Sequence, residues 1–380
     1  MGRILVGMSG GVDSSVAAAL LARADHDVVG VSLQLYDHSE GGRASRCCSP
    51  EDLLDARKVA AQMGFPYYVI NQEEAFRREV LDPFARDYRG GRTPNPCVRC
   101  NSEVKFEALF DLADRLGAAS VATGHYARLE TDTDTVEPRL LRARDHAKDQ
   151  SYFLFDVEPR LLRRTIFPLG DRTKAEVRAE ARALGLATAD KPESQDVCFV
   201  EDGDYRAFLR RHRPDGEPEE APGEIVDRDG RVLGRHDGVS GFTIGQRRGL
   251  GIASSRRLYV LQVQAGSRRV VLGGEEHLWC AGLELSGVRL AARNPSGAAR
   301  EGFPAQVRVR YRHEGAAARV IPVCPGSARV EFATPVRGVS PGQAAVFYDG
   351  DRVLGGGWID RAIPVTAAED VPATVTVPAS

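Results

Sequence analysis

Residues 7–15 read Gly7-Met8-Ser9-Gly10-Gly11-Val12-Asp13-Ser14-Ser15 and follow directly on the apolar run Ile4-Leu5-Val6. No other stretch restricts the fold as tightly. The apolar run predicts a short buried strand, and the alanine- and leucine-rich segment from Val16 to Ala24 predicts a helix. Glycines between them let the backbone take φ > 0 and come close to a ligand. N–H groups at the start of the helix, reinforced by its dipole, favour a phosphate. The loop lacks the Gly-Lys-Ser/Thr ending of a Walker A loop.

The alternation of strand and helix continues to about residue 205. Val28 to Leu33 is an apolar strand. Ser49-Pro50-Glu51-Asp52 is a helix start with a cap, proline at N1 and acids in the first turn, and that helix should end at Gly64. Tyr67 to Ile70 and Ser120 to Thr123 are further strands, with a helix from about Glu103 to Leu116 before the second. Strands separated by helices imply a doubly wound parallel sheet, whose ligands sit beyond the carboxyl ends of the strands. The Gly7–Ser15 loop and the Gly124-His125-Tyr126 turn both fall there. The segment from His212 to Gly223, rich in proline, glycine and glutamate, reads as a linker. Beyond it, short alternating segments such as Gln306-Val307-Arg308-Val309-Arg310-Tyr311 suggest a small antiparallel barrel. The expected division is 1–205, 206–278 and 279–365, with a frayed tail over 366–380.

Hydrophobic residues make up 42% and charged residues 27% of the 380, an ordinary soluble balance. A net charge of −2 excludes a globally basic nucleic-acid binder, so any RNA surface must be a local patch. The start of the chain reads as a strand rather than a signal peptide, and no apolar run has membrane-spanning length, which points to the cytoplasm and away from a membrane. Seven cysteines without export signals argue for reactive or metal-binding thiols over a disulfide scaffold.

Two cysteine segments stand out. In Gly91-Arg92-Thr93-Pro94-Asn95-Pro96-Cys97-Val98-Arg99-Cys100-Asn101, two prolines argue against a helix, so Cys97 and Cys100 are expected on irregular backbone. Their Cys-x-x-Cys spacing suits redox exchange, metal ligation or a cluster; a structural zinc site would want a second such pair, which the chain lacks. Cys198, after the polar run from Lys191 to Asp196, is either a core cysteine or a reactive one. Cys280 and Cys324 are expected in the barrel core, and the adjacent Cys47-Cys48 pair suggests no definite role.

The Ser9-Gly10-Gly11-Val12-Asp13-Ser14 order resembles the PP-loop of ATP pyrophosphatases, which cleave ATP between its α- and β-phosphates and adenylate a substrate oxygen. The PP-loop is followed, in one order, by Gly91–Pro96, Cys100-Asn101, Thr123–Tyr126, Lys148-Asp149-Gln150-Ser151-Tyr152-Phe153-Leu154, the Cys198 segment, Gly245-Gln246-Arg247-Arg248-Gly249-Leu250-Gly251 and Pro341-Gly342-Gln343. Together these blocks resemble the bacterial tRNA-specific 2-thiouridylases, over nearly the whole chain to about residue 365. The resemblance implies an N-terminal adenine-nucleotide α-hydrolase-like domain, a small central domain and a C-terminal β-barrel. The implied reaction replaces O2 of the wobble uridine, in the anticodon region of tRNA, with sulfur.

By that resemblance Gly7, Met8, Ser9, Gly10, Gly11, Val12, Asp13, Ser14, Leu33 and Gly124 would bind ATP, taken with Mg, and Asp13 would be catalytic. Asn95, Pro96 and Cys97 would meet the flipped-out base. His125, Lys148, Asp149, Gln150, Tyr311, Arg312 and Gln343 would contact tRNA, Arg312 through phosphate and Tyr311 by stacking. Sulfur would come from an upstream persulfide or sulfur-carrier protein or from sulfide, pass through a persulfide on Cys198, and be released as Cys100 forms a disulfide with Cys198. The best-known members carry aspartate where Cys97 stands, so a second version has Cys97, Cys100 and Cys198 hold a [4Fe–4S] cluster whose open iron binds sulfide. The alternatives to a sulfurtransferase are another PP-loop ligase or synthetase, or a non-catalytic RNA-binding protein with structural ATP.

Overall fold

A computed structural model describes residues 2–36, 49–131, 137–192, 197–200, 203–217, 219–291 and 301–365. Cys47-Cys48, the polar residues 193–196 and the 366–380 tail lie outside the described residues. No described helix is long and apolar enough to cross a membrane. The described chain divides into two compact units: Met1–Pro83 with Pro96–His212 and Gly350–Val353, and Phe84–Asn95 with Arg213–Asp349 and Leu354–Ser380.

The first unit is built on β1 (Arg3–Gly7), β2 (Asp27–Gln34), β3 (Tyr67–Asn71), β4 (Ser120–Thr123) and, beyond the hairpin of β5 (Ala127–Thr131) and β6 (Pro138–Arg142), β7 (Thr165–Ile166). The five sheet strands run parallel in the order β3-β2-β1-β4-β7. The order reverses between β1 and β4, and that reversal is where open α/β sheets open a ligand crevice. Helices α1 (Val12–Arg23), α2 (Pro50–Met63), α3 (Phe106–Arg115) and α4 (Lys174–Ala183) connect or flank the strands. Val16, Ala17, Ala18 and Ala19 of α1 are fully buried against Val6, Ala122 and Val177. The α2 start forms as its sequence demands: Ser49 and Asp52 make a reciprocal capping box, Pro50 is the first helical residue, and Gly64 ends the helix at φ 77°.

One expectation fails here. Pro96–Arg99 is a short helix, running into a π-helical turn over Cys100–Lys105 and then α3. Proline at the first helical position lacks only an N–H that would have no intrahelical partner, so Pro96 starts the helix it was expected to prevent.

In the second unit, β8 (Gly223–Val226), β9 (Val232–His236), β10 (Tyr259–Gln264) and β11 (Arg269–Gly273) form a four-stranded sheet around Ile225, Val260, Val270 and Leu272. The barrel follows with β12 (Trp279–Leu290), β13 (Phe303–Arg308), β14 (Ala316–Cys324), β15 (Ser327–Arg337), β16 (Ala344–Asp349) and β17 (Arg352–Pro364). It closes because β12 pairs with both β15 and β17. Cys280 is a core thiol, 7% exposed, and burial pushes its pKa up to about 11. Cys324 corrects the sequence reading: it is exposed at the end of β14, with its sulfur 3.1 Å from the Ser327 hydroxyl.

Candidate active site

The PP-loop leaves β1 at Gly7 and turns at Gly10, whose φ is 72°. A β-carbon on Gly10 would lie 2.2 Å from the Asp52 carbonyl oxygen, so only glycine fits where the loop presses on the start of α2. Gly11 caps α1 in extended conformation and brings no side chain to the helix's first N–H groups. Those donors are the phosphate-binding element of such a loop. Side chains brace the loop from behind: the Ser9 N–H donates to Ser14 Oγ at 3.0 Å, Ser15 Oγ donates to Gly11 O at 2.8 Å, and Ser32 Oγ to Met8 O at 2.5 Å. Gly124, following β4, packs on this turn so closely that a β-carbon would come within 2.6 Å of Ser14 N. Leu33 is buried in β2.

Asp13, in the first turn of α1, meets a cation that sequence reasoning missed. Lys174 Nζ lies 2.8 and 2.7 Å from its two carboxylate oxygens, and Tyr126 donates its hydroxyl to one of them at 2.8 Å. Lys174 is 9% exposed. It opens α4 behind the Thr173–Glu176 capping box, and its N–H donates to Asp145. A second missed cation, Lys191, reaches the Gly10 carbonyl. One signal could have found both: lysine is rare in this chain, five of 51 basic residues, and two of the five meet the PP-loop.

His125 bonds Thr123 Oγ1 through Nδ1 at 2.8 Å, stacks on Phe106 and meets the edge of Phe167. Burial, helped by Lys105, pushes its pKa down to about 3, so the ring is neutral at physiological pH. Asp149 is 2% exposed. It accepts from the Ala143 and Ser151 N–H groups and the Ser151 hydroxyl, a brace inside the fold where a tRNA contact was expected. Gln150 likewise accepts from the Tyr126 N–H at 2.9 Å. Lys148, like Gln150, is half-buried.

Cys97 is exposed on the short helix, Cys100 buried at the start of the π turn, and Cys198 half-buried in a turn; all three are thiols. Cys100 and Cys198 belong to the unit that holds the PP-loop. Among the described residues, no three or more His, Cys, Asp or Glu side chains gather as metal ligands, so the cysteines do not fit a cluster site in this arrangement. Asn95 and Pro96, expected to meet the target base, are buried.

In the second unit Gln343 donates to the Thr93 and Pro94 carbonyls at 3.0 Å each, and the Thr93 N–H donates to Pro341 O at 2.7 Å. Arg92 adds bonds to Ile359 O and Asp360 at 3.1 Å each. Gln343, expected on tRNA, thus holds the backbone just before Asn95. Tyr311 and Arg312 occupy the turn after β13. The Arg308 guanidinium donates to the Tyr311 and His313 carbonyls and lies 5.7 Å from the Tyr348 ring centre. Arg312 projects exposed, as do Arg247 and Arg248.

Residues 2–202 match the family described as tRNA methyl transferase HUP domain, 206–274 its PRC-barrel domain, and 282–359 the aminomethyltransferase beta-barrel domain. A relative from Geotalea uraniireducens, named tRNA-specific 2-thiouridylase MnmA, is 48% identical over 96% of this chain and 97% of its own length. One of the same name from Geobacter metallireducens is 50% identical over 95% and 97%. Among solved structures, a 4-thiouridine synthetase in complex with RNA and ATP shares 18% identity at a TM-score of 0.34, covering 52% of this chain and 45% of that one.

Proposed function

The chain belongs to the tRNA-specific 2-thiouridylase family, and from that premise we propose how its residues carry out ATP-dependent sulfur transfer to the wobble uridine. It is a tRNA sulfurtransferase that binds ATP at a PP-loop. The domain descriptions speak of methyl transfer, whereas the near-full-length relatives are named for thiolation. An ATP loop and two cysteines within one unit suit the latter, and that shared unit is the observation that carries our reading.

A uridine carbonyl oxygen is a poor leaving group. Attack of O2 on the α-phosphorus of MgATP expels pyrophosphate and leaves an O2–AMP ester, which is a good one. The α1 N–H groups and Lys174, held by Asp13, face the charge that develops on the phosphates. A persulfide on Cys198, loaded by an upstream persulfide or sulfur-carrier protein or by sulfide and an oxidant, then attacks C2 with its outer sulfur and displaces AMP. Cys100 thiolate attacks the Cys198 sulfur, leaving sulfur on C2 and a Cys100–Cys198 disulfide. A thiol reductant returns two electrons to that disulfide before the next cycle. The cluster version derives no step here, because the cysteines are not gathered to hold it.

Asn95, Pro96 and Cys97 would border the extruded base, with Gln343 as a positioning residue for that loop. Lys148 in the first unit, and Tyr311, Arg312 and the Arg247-Arg248 loop in the second, would contact tRNA, each unit with its own basic groups. Arg312→Ala should weaken tRNA binding and lower its salt slope by about one unit, the value for one phosphate contact; an unchanged slope removes the barrel turn from the RNA surface. The function itself is tested by incubating the protein with tRNA, ATP and a persulfide donor. Mass spectrometry of the digested tRNA should show one 2-thiouridine at the wobble position, and a methylated or unaltered uridine would refute the reading.

A further inference from the structure

The structure points to Lys191 as a positioning residue, and we propose that it ties the Cys198 segment to the nucleotide loop so that sulfur transfer stays in step with ATP cleavage. The inference rests on the reading of Cys198 as the sulfur-bearing cysteine.

Lys191 Nζ lies 2.6 Å from Asp52 Oδ1, 2.8 Å from Asp55 Oδ2 and 3.1 Å from the Gly10 carbonyl oxygen. An ammonium has three protons, and here three acceptors take them. One acceptor is the glycine at the bend of the PP-loop, and the other two belong to the first turns of α2, against which that glycine is pressed. Burial works against the ammonium, but Asp52 and Asp55 outweigh it and hold its pKa above that of an ordinary lysine, so the cation is permanent. The compact ammonium is suited to this convergence; the wide planar fork of arginine is not. In a chain this poor in lysine, that requirement is visible.

The backbone of Lys191 is fixed as well. Arg178 of α4 donates to the Ala189 and Lys191 carbonyls, and the Lys191 N–H bonds Thr188 O. The same helix begins with Lys174, which grips Asp13 on the other side of the loop. α4 and the chain that follows it therefore hold the PP-loop at two points. The second point lies seven residues before Cys198. Any shift of Gly10 when phosphates bind is transmitted to the root of the cysteine segment, because Lys191 cannot follow one partner without the others.

If the cysteine is not in place when O2 has been adenylated, water attacks C2, expels AMP and regenerates uridine, so ATP is consumed without thiolation. The test compares 2-thiouridine formed with AMP released, at saturating ATP, using persulfide-loaded protein and tRNA. Lys191→Met should lower that ratio at least about tenfold and raise the incorporation of oxygen-18 from water into uridine, while AMP release falls by a smaller factor. Asp55→Ala, which removes one of the three acceptors and leaves Asp52 paired, should shift the ratio in the same direction and serves where Lys191→Met does not fold. A ratio unchanged within about twofold in the folded variants, whatever the rate, overturns the proposal. Cys198→Ala separates the premise: if it still makes 2-thiouridine, the reading of Cys198 fails independently of Lys191.

Discussion

Asp13→Ala is expected to lower tRNA-dependent pyrophosphate release by about a thousandfold or more, the scale for losing a prearranged electrostatic group. The carboxylate does not act alone. It fixes a lysine that is 9% exposed, with both oxygens within 2.8 Å of the ammonium. Removing it leaves that ammonium without its principal counter-charge next to the phosphate site, free to swing or to repack. Losing one side of this pair, whose side chains are 11% (Lys174) and 31% (Asp13) exposed, also costs stability, though less than the about 3–5 kcal/mol of a fully buried pair. The activity loss must therefore be measured on folded protein. Asp13→Ala combined with Lys174→Met removes the stranded charge, so it should recover stability and recover no activity. Thermal unfolding and pyrophosphate release, measured together, check both. Asp13→Ala with release within about tenfold of the parent would exclude the pair from catalysis.

The cysteines give the second large effect. Cys198→Ala removes the sulfur carrier and should bring 2-thiouridine below detection. Cys100→Ala should stop turnover after the attack on C2. Without the second thiolate, tRNA stays joined to Cys198 through a disulfide, visible as a protein–tRNA species on a non-reducing gel and released by reductant. Cys97 decides between the two sulfur routes. In the persulfide route Cys97→Ala should keep activity within about threefold, because an exposed neighbour contributes only contact to the base. In the cluster route Cys97→Ala loses activity together with iron and colour in protein purified without oxygen. Loss of that kind would overturn the persulfide assignment.

The parts of the fold written in local chemistry were legible in the sequence. The strand–glycine–helix start, the Ser49-Pro50-Glu51-Asp52 cap, the left-handed Gly64 and the strand from Ser120 to Thr123 each depend on a few neighbouring residues, and each forms where expected. The Cys97 segment was misread because proline's cost depends on position: inside a helix Pro96 would break it, at the first residue it starts it. The roles of Lys174 and Lys191 were not read because their partners lie 161 and 181 residues away in the chain, and only the rarity of lysine marked them. Asp149 and Gln343 were expected on tRNA, since sequence does not tell an exposed acceptor from one spent on nearby N–H groups, or an available amide from one spent on a loop carbonyl. A buried polar side chain must find such partners, so the structure assigns them bracing roles.

The central claim is that this loop cleaves ATP between its α- and β-phosphates, and does so on tRNA. The direct measurement is the fate of α-labelled ATP with and without tRNA containing an unmodified wobble uridine. The account predicts labelled AMP with an equal amount of pyrophosphate, released only when that tRNA is present. Labelled ADP with inorganic phosphate, or AMP at the same rate without tRNA, would contradict it.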